Sequence, residues 1–371
     1  MFKTYDVGSI PLRISQEIIR RGSRKYSSLL SDVGVGELED VKIFEGEVVN
    51  SFLDKLKAGL DVPNYPQLRD MNEMFLEIIR GIERRGDGYR VISKISAKPF
   101  AVIPEVEALK RNASRIAEAV GLDRFELKIC VTGPYTLSSL FQDRYDELFR
   151  ELGKAISEIA SNTMFKARRG ETALLFIDEP VFGFLNDPLI DHGSEGRVAL
   201  LEGWEEICRA ASSKGVEAGI HLHKTSDGLF WDVENLGIVD SHVDDILYTS
   251  KETLRRIRET GKRLKASVCK TDFDTLITER LGSVEDLPQR IGEVWSKIRS
   301  GRLDPDMFLE DPNLIQSRLR ALTRRFGAEN IPYVGPECGL RAFPTYGCAL
   351  ECLRRTSEVA KRLRAELTQN L

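Results

Sequence analysis

The feature that most constrains this chain is a repeated alternation. Short runs rich in apolar and β-branched residues are separated by long charged stretches. The runs are YDVGSIP (5–11), AGLDVPNYP (58–66), LKICVTGP (127–134), TALLFIDEP (172–180), VEAGIHLHK (216–224), GIVDSHVDD (237–245), LKASVCKTD (264–272) and IPYVGPECG (331–339). Between them lie stretches such as GKAISEIASNTMFKARRG and ETLRRIRETGKRL. Their apolar positions recur every three or four residues, the period of a helix that buries one face. Strand then helix, eight times over, predicts a (β/α)8 TIM barrel.

A second regularity points the same way. Polar or reactive residues gather toward the C-terminal end of each run: Ser9, Asn64, Thr132, Asp178, His223, Asp244, Lys270 and Cys338. Barrels of this kind carry their active sites on that face, where eight loops converge. A doubly wound sheet also collects ligands at strand C-termini, so the count of eight is what favours the barrel. At 371 residues the chain fits one large domain, 1–371. Two segments interrupt the pattern. RRGDGYRVISKISAKPFAVIP (84–104) reads as an inserted β-hairpin turning at GDG, and NDPLIDHGSEGRVAL (186–200) as a rim loop after the fourth strand.

Charge narrows the function. Lys and Arg total 54 against 58 Asp and Glu, with the two signs interspersed and a formal net charge of −4. No broad basic face exists for nucleic acid or an anionic membrane. The opening MFKTYDVGSIPLR is not a signal peptide, and no run approaches the roughly 18 to 20 apolar residues of a membrane span. The six cysteines are scattered through a large, helix-rich chain. That is unlike a secreted disulfide scaffold, and the expectation is a reduced, cytoplasmic protein.

Three of the four histidines, His221, His223 and His242, fall within 22 residues. On a strand, residues two apart share a face, so His221 and His223 aim together, either as barrel-wall residues bonded to their neighbours or as ligands. A metal would need further donors. SHVDD supplies His242, Asp244 and Asp245, and GPECG supplies Glu337 and Cys338. Nitrogen, oxygen and sulfur donors in that mix suit four-coordinate Zn²⁺. In IDEP, Asp178 and Glu179 point to different sides, so at most one faces a ligand, where a carboxylate suits an ammonium group; the alternative is a loop-stabilising cap. Ser9 and Thr132 sit in Gly-containing turns, where backbone N–H groups can bind a carboxylate. Cys348 and Cys352, one helical turn apart, read as helix packing.

Taken together, VGSIP, VTGPYT, IDEP, HLH and GPECGL occur in an order that resembles the C-terminal catalytic barrel of the cobalamin-independent methionine synthase family, in its compact archaeal-type, single-barrel form. The resemblance implies an enzyme: a zinc-dependent methyltransferase of methionine biosynthesis that moves a methyl group to a zinc-bound thiol, homocysteine above all. It also implies a donor that is a methyl-corrinoid or another non-polyglutamate compound, with a corrinoid protein as a partner. In the family, zinc is held by His, Cys, Glu and Cys. His223 and Cys338 match the first and last of these, Asp244 falls at the glutamate, and Thr225 stands where the first cysteine would be. His221, His242 and Cys269 are the alternatives for the fourth ligand. The acceptor's amino-acid end is assigned to Gly8, Ser9, Thr132 and Asp178, with Gln67 at the family's glutamate and Asp70 nearby. By position, Lys270 or Asp272 would assist donor binding or protonation, which makes Asp178 and Asp272 the catalytic candidates. Two further readings share the fold: a corrinoid-dependent methyltransferase acting on another thiol, and a ligand-binding relative without catalysis.

Overall fold

A computed structural model describes residues 2–30, 38–184 and 186–369. Its strands are β1 (Lys3–Thr4), β2 (Ile79–Arg85), β3 (Gly88–Ala97), β4 (Phe125–Thr132), β5 (Gly170–Glu179), β6 (Glu217–Leu222), β7 (Ile238–Asp240), β8 (Arg263–Cys269) and β9 (Tyr333–Pro336). Seven of them form one parallel sheet in the order β1-β9-β8-β7-β6-β5-β4, while β2 and β3 pair apart from it. Helices cover the sheet, so β5 is buried almost throughout, Leu174 to Glu179 without a break. That continuous apolar run is what a strand covered on both faces requires. The helices following β4 and β5, Asp146–Thr163 and Glu195–Ser212, pack very closely. A Cβ on Gly153 would overlap the backbone of Gly203.

The second expected strand, 58–66, is not regular. Pro63 and Pro66 have no N–H to donate, and only isolated bridges form, Asn64 with Lys128 and Gln67 with Ser9. The extended segment still touches both edges of the sheet. Val62 N donates to Thr4 O (2.9 Å) on β1, and Tyr65 N donates to Lys128 O (3.1 Å) on β4. What the structure shows is therefore a curled parallel sheet of seven regular strands, with an irregular segment in the eighth position.

The inserted hairpin spans 79–97, not 84–104, and is antiparallel, with Arg85 opposite Gly88. Residues 104–111 instead begin a helix on Pro104, where a missing N–H is harmless. Among the described residues no helix is long and apolar enough to cross a membrane.

Candidate metal centre

The site follows from sheet register. His221 on β6 lies opposite Asp178 on β5 and Asp240 on β7. Two residues further along, just past each strand, come His223 and His242. The side chains of His221, His223, His242 and Cys338 converge so that one donor atom of each lies within 4.8 Å of the others. The rings of His223 and His242 are 4.2 Å apart, those of His221 and His223 5.4 Å, and Cys338 Sγ is 3.4 Å from His223 Nε2.

Cys338 is carried by the loop after β9, and neighbouring groups fix that loop. Glu337 Oε2 accepts from Val243 N and its Oε1 from Thr271 N, both at 2.9 Å. One carboxylate thus ties together the loops that follow β7, β8 and β9. Leu340 N donates to Ser9 O (2.9 Å), and a Cβ on Gly339 would collide with Ser9 Oγ. Glycine lets the two segments approach this closely without moving the Ser9 hydroxyl.

Burial raises the Cys338 thiol, but the neighbouring imidazoles of His221, His223 and His242 outweigh it and hold the thiol well below its ordinary range. Burial alone would lower His221; the Asp240 charge beside it, with Cys338, raises it to about 10. His223 is lowered, chiefly by burial. Asp178 is pushed up to about 6 by burial, against the pull of Lys128 and His221. Its Oδ1 is buried without a hydrogen-bond partner, as are Nδ1 and Nε2 of His221 and Nε2 of His242. Unmet buried polar atoms of this kind call for a partner. Four such atoms sit on these three residues.

The structure does not bring every expected residue to this point. Asp244 is the chief correction. The regular part of β7 stops at Asp240, and Asp245 N turns back to His242 O (3.1 Å). That turn swings the Asp244 carboxylate into solvent, 77% exposed, where it pairs with Lys270 Nζ at 2.8 Å. Cys269 lies elsewhere, its Sγ 3.4 Å from that of Cys352, while His221 and His242 both join the cluster. Thr225 turns away, its backbone N and hydroxyl donating to Asp245. Asp272 caps the helix Phe273–Leu281, accepting from Thr275 N (2.7 Å). Thr132 donates to Met71 O (2.6 Å), and Asp70 accepts from Asn72 N and Glu73 N. These three are occupied with local structure. Gly8, Ser9 and Gln67 do lie together, since Gln67 N donates to Gly8 O (3.3 Å). The Gln67 amide is buried, and its Nε2 has only a weak contact with Met74 Sδ (4.0 Å). Glu179 is the structural member of IDEP, accepting from Tyr135 N, Thr136 N and Trp204 Nε1.

Sequence reasoning missed Asp240. It is buried at the end of β7, with its Oδ2 3.2 Å from His221 Nδ1. The signal was present in IVDSH, where Asp240 and His242 share a face at strand spacing.

Fold and cluster together define a parallel α/β protein with a His3Cys donor set at the C-terminal mouth of its sheet. Known proteins make the kinship specific. No family model matches. The methionine synthase of Saccharolobus solfataricus is 30% identical over 166 residues, 42% of this chain and 48% of that protein. Its counterpart in Sulfurisphaera tokodaii is 28% identical over 142 residues, 37% of this chain and 41% of that protein. The methionine synthase of Thermoplasma acidophilum is 23% identical over 319 residues, 82% of this chain and 81% of that protein. In the first two, then, the chain spans less than half of the relative's length. Among solved structures, a B12-independent methionine synthase from a Shewanella species, in complex with selenomethionine, superposes with a TM-score of 0.63 at 16% identity, covering 100% of this chain and 99% of that one. A putative B12-independent methionine synthase from Listeria monocytogenes gives 0.57 at 15%, covering 98% and 99%. The chain is thus similar in sequence to methionine synthases and in fold to B12-independent methionine synthases.

Proposed function

We propose that this chain transfers a methyl group to a thiol held at the His221, His223, His242 and Cys338 centre, with homocysteine as acceptor and methionine as product. One observation carries the reading above the others: three imidazoles and a cysteine converge at the strand ends with buried ring nitrogens unspent. Three nitrogens and a sulfur suit Zn²⁺, and the acceptor thiol would join these donors or displace one of them. Bound there, Zn²⁺ would lower the acceptor thiol's pKa and favour its thiolate. The kinship with methionine synthases supports the same reading, as does the fold shared with a protein whose structure holds selenomethionine.

The surrounding residues divide the remaining work. Asp178 presents an unpaired Oδ1, the acceptor an ammonium group needs. Ser9 and Gln67, joined by a backbone bridge beside Gly8, orient the amino-acid end. The thiol proton leaves to solvent. The sulfur then forms a bond to the methyl carbon as the carbon's bond to the donor breaks, and that electron pair departs with the donor. A methyl-corrinoid or another non-polyglutamate donor would approach from the open mouth, presented there by a corrinoid protein. In this reading the seven strands and the 61–67 segment close as a (β/α)8 barrel over one domain, 1–371.

A second reading rests on Gln67. Its amide carries no charge to attract an ammonium group, which favours a thiol without an α-amino group. Metal analysis of the purified protein beside a Cys338→Ala variant tests the site. Mass spectrometry of methylated products from homocysteine and from mercapto-acids then tests the acceptor. Metal-free wild-type protein that takes up no zinc would overturn the proposed centre.

A further inference from the structure

The proposed reaction leaves unused the buried carboxylate of Asp240, which stands beside His221. Asp240 is fully enclosed, yet it has four neighbours. It accepts from Lys265 Nζ (2.9 Å to Oδ1), from Ser267 Oγ (3.1 Å) and from Tyr5 OH (3.1 Å). The fourth is His221, whose Nδ1 lies 3.2 Å from Oδ2 but off the line of a hydrogen bond, which makes the contact electrostatic. Lys265, equally buried, also donates to Pro336 O (2.6 Å), two residues before Cys338. The Lys265–Asp240 pair would be electrically complete without the histidine. Sheet register nonetheless sets His221 directly beside the carboxylate.

A neutral imidazole carries one N–H, and a carboxylate beside one ring nitrogen decides which nitrogen bears it. With Asp240 at Nδ1, the hydrogen belongs there and the lone pair belongs to Nε2, the buried nitrogen that lacks a partner. We propose that Asp240 is a positioning residue of the metal centre: through His221 Nδ1 it fixes the ring and tautomer that offer Nε2 to the ion. Lys265 offsets its charge in the interior and links the pair to β9, the strand that leads into the Cys338 loop. The centre then takes one anion directly, the Cys338 thiolate, and a second at one remove, the Asp240 carboxylate. This rests on the metal-binding reading of the cluster.

The test is zinc affinity of the full chain, measured by competition against a chromophoric chelator, for wild type, Asp240→Asn and the double variant Asp240→Asn/Lys265→Met. The double variant strands no buried charge, so it keeps the test valid if the single variant folds poorly. Outer partners of metal-bound histidines typically change affinity about 10- to 100-fold, and that loss is expected in both variants. It should persist in the double variant even where its thermal midpoint returns to that of wild type. A merely structural ion pair would give wild-type affinity in the double variant, which overturns the proposal. A second readout needs no substitution. Nitrogen-15 spectra of histidine-labelled, zinc-loaded protein should show the proton of His221 on Nδ1; a proton on Nε2 refutes the assignment. Wild-type protein that binds no zinc removes the metal reading itself and the proposal with it, an outcome distinct from variants that bind as wild type does.

Discussion

Asp178 should cost the protein stability in exchange for a binding group, and Asp178→Asn measures both. Burial moves its carboxyl from an ordinary 3.8 to about 6. At roughly 1.36 kcal/mol per pH unit, this corresponds to an order of 3 kcal/mol against the ionised form in the folded state. The pH dependence follows from the sign. Because the folded value is raised, the penalty is absent below about pH 4, where the carboxyl is protonated folded or unfolded. It builds as pH rises from about 4 to about 6 and is constant above. Asparagine never ionises, so the variant should match wild type at pH 4 and exceed it by about 3 kcal/mol at pH 7. Urea denaturation of chelator-treated protein at pH 4, 5, 6, 7 and 8 would map the difference. The same variant should raise KM for homocysteine, since the ammonium loses its only ionised partner among the residues placed at that end. A variant no more stable than wild type at pH 7, or a gain that persists undiminished at pH 4, refutes the reasoning.

Other outcomes follow from the same geometry. Cys338→Ala should remove most bound zinc while leaving the fold intact, because the thiol is only partly buried and lies in a loop; metal analysis with circular dichroism checks both. Thr225→Ala should leave zinc content unchanged and cost on the order of 1 kcal/mol in stability, through loss of its bond to Asp245. A large loss of zinc would instead make Thr225 a ligand. Gln67→Glu should lower KM for homocysteine and leave that for thiols lacking an amino group unchanged, and equal changes for both would exclude Gln67 from the ammonium subsite. Glu337→Ala should strip two backbone N–H groups of their acceptor and destabilise by roughly 2–4 kcal/mol, with weaker zinc binding. Retained affinity in that variant would show that the loops hold their own shape.

The parts of the fold legible in the sequence were those set by local period and burial. The run TALLFIDEP read as a strand, and β5 is that strand, covered on both faces. The second strand was the hard case: its apolar content advertised a strand, while Pro63 and Pro66 quietly removed the donors that a ladder needs. In the site, His223 and Cys338 were legible from motif and strand end. The carboxylate was not, and the reason is geometric. Asp240, His242 and Asp244 have the same parity, so a strand continuing to residue 245 would have aimed all three at the mouth. Regular pairing ends at Asp240 instead, and the turn from His242 to Asp245 keeps the histidine and expels Asp244. Alternation specifies a face only as long as the ladder lasts. Where it stops, hydrogen bonds made by distant residues decide direction, here Glu337 on Val243 and Asp245 on Thr225. Those partners lie 94 and 20 residues away in the chain, beyond the reach of any local pattern. Thr225, at the position where the resemblance expects a cysteine, thus has a structural role of its own: it is committed to Asp245, and in the proposed centre His242 would supply the fourth donor.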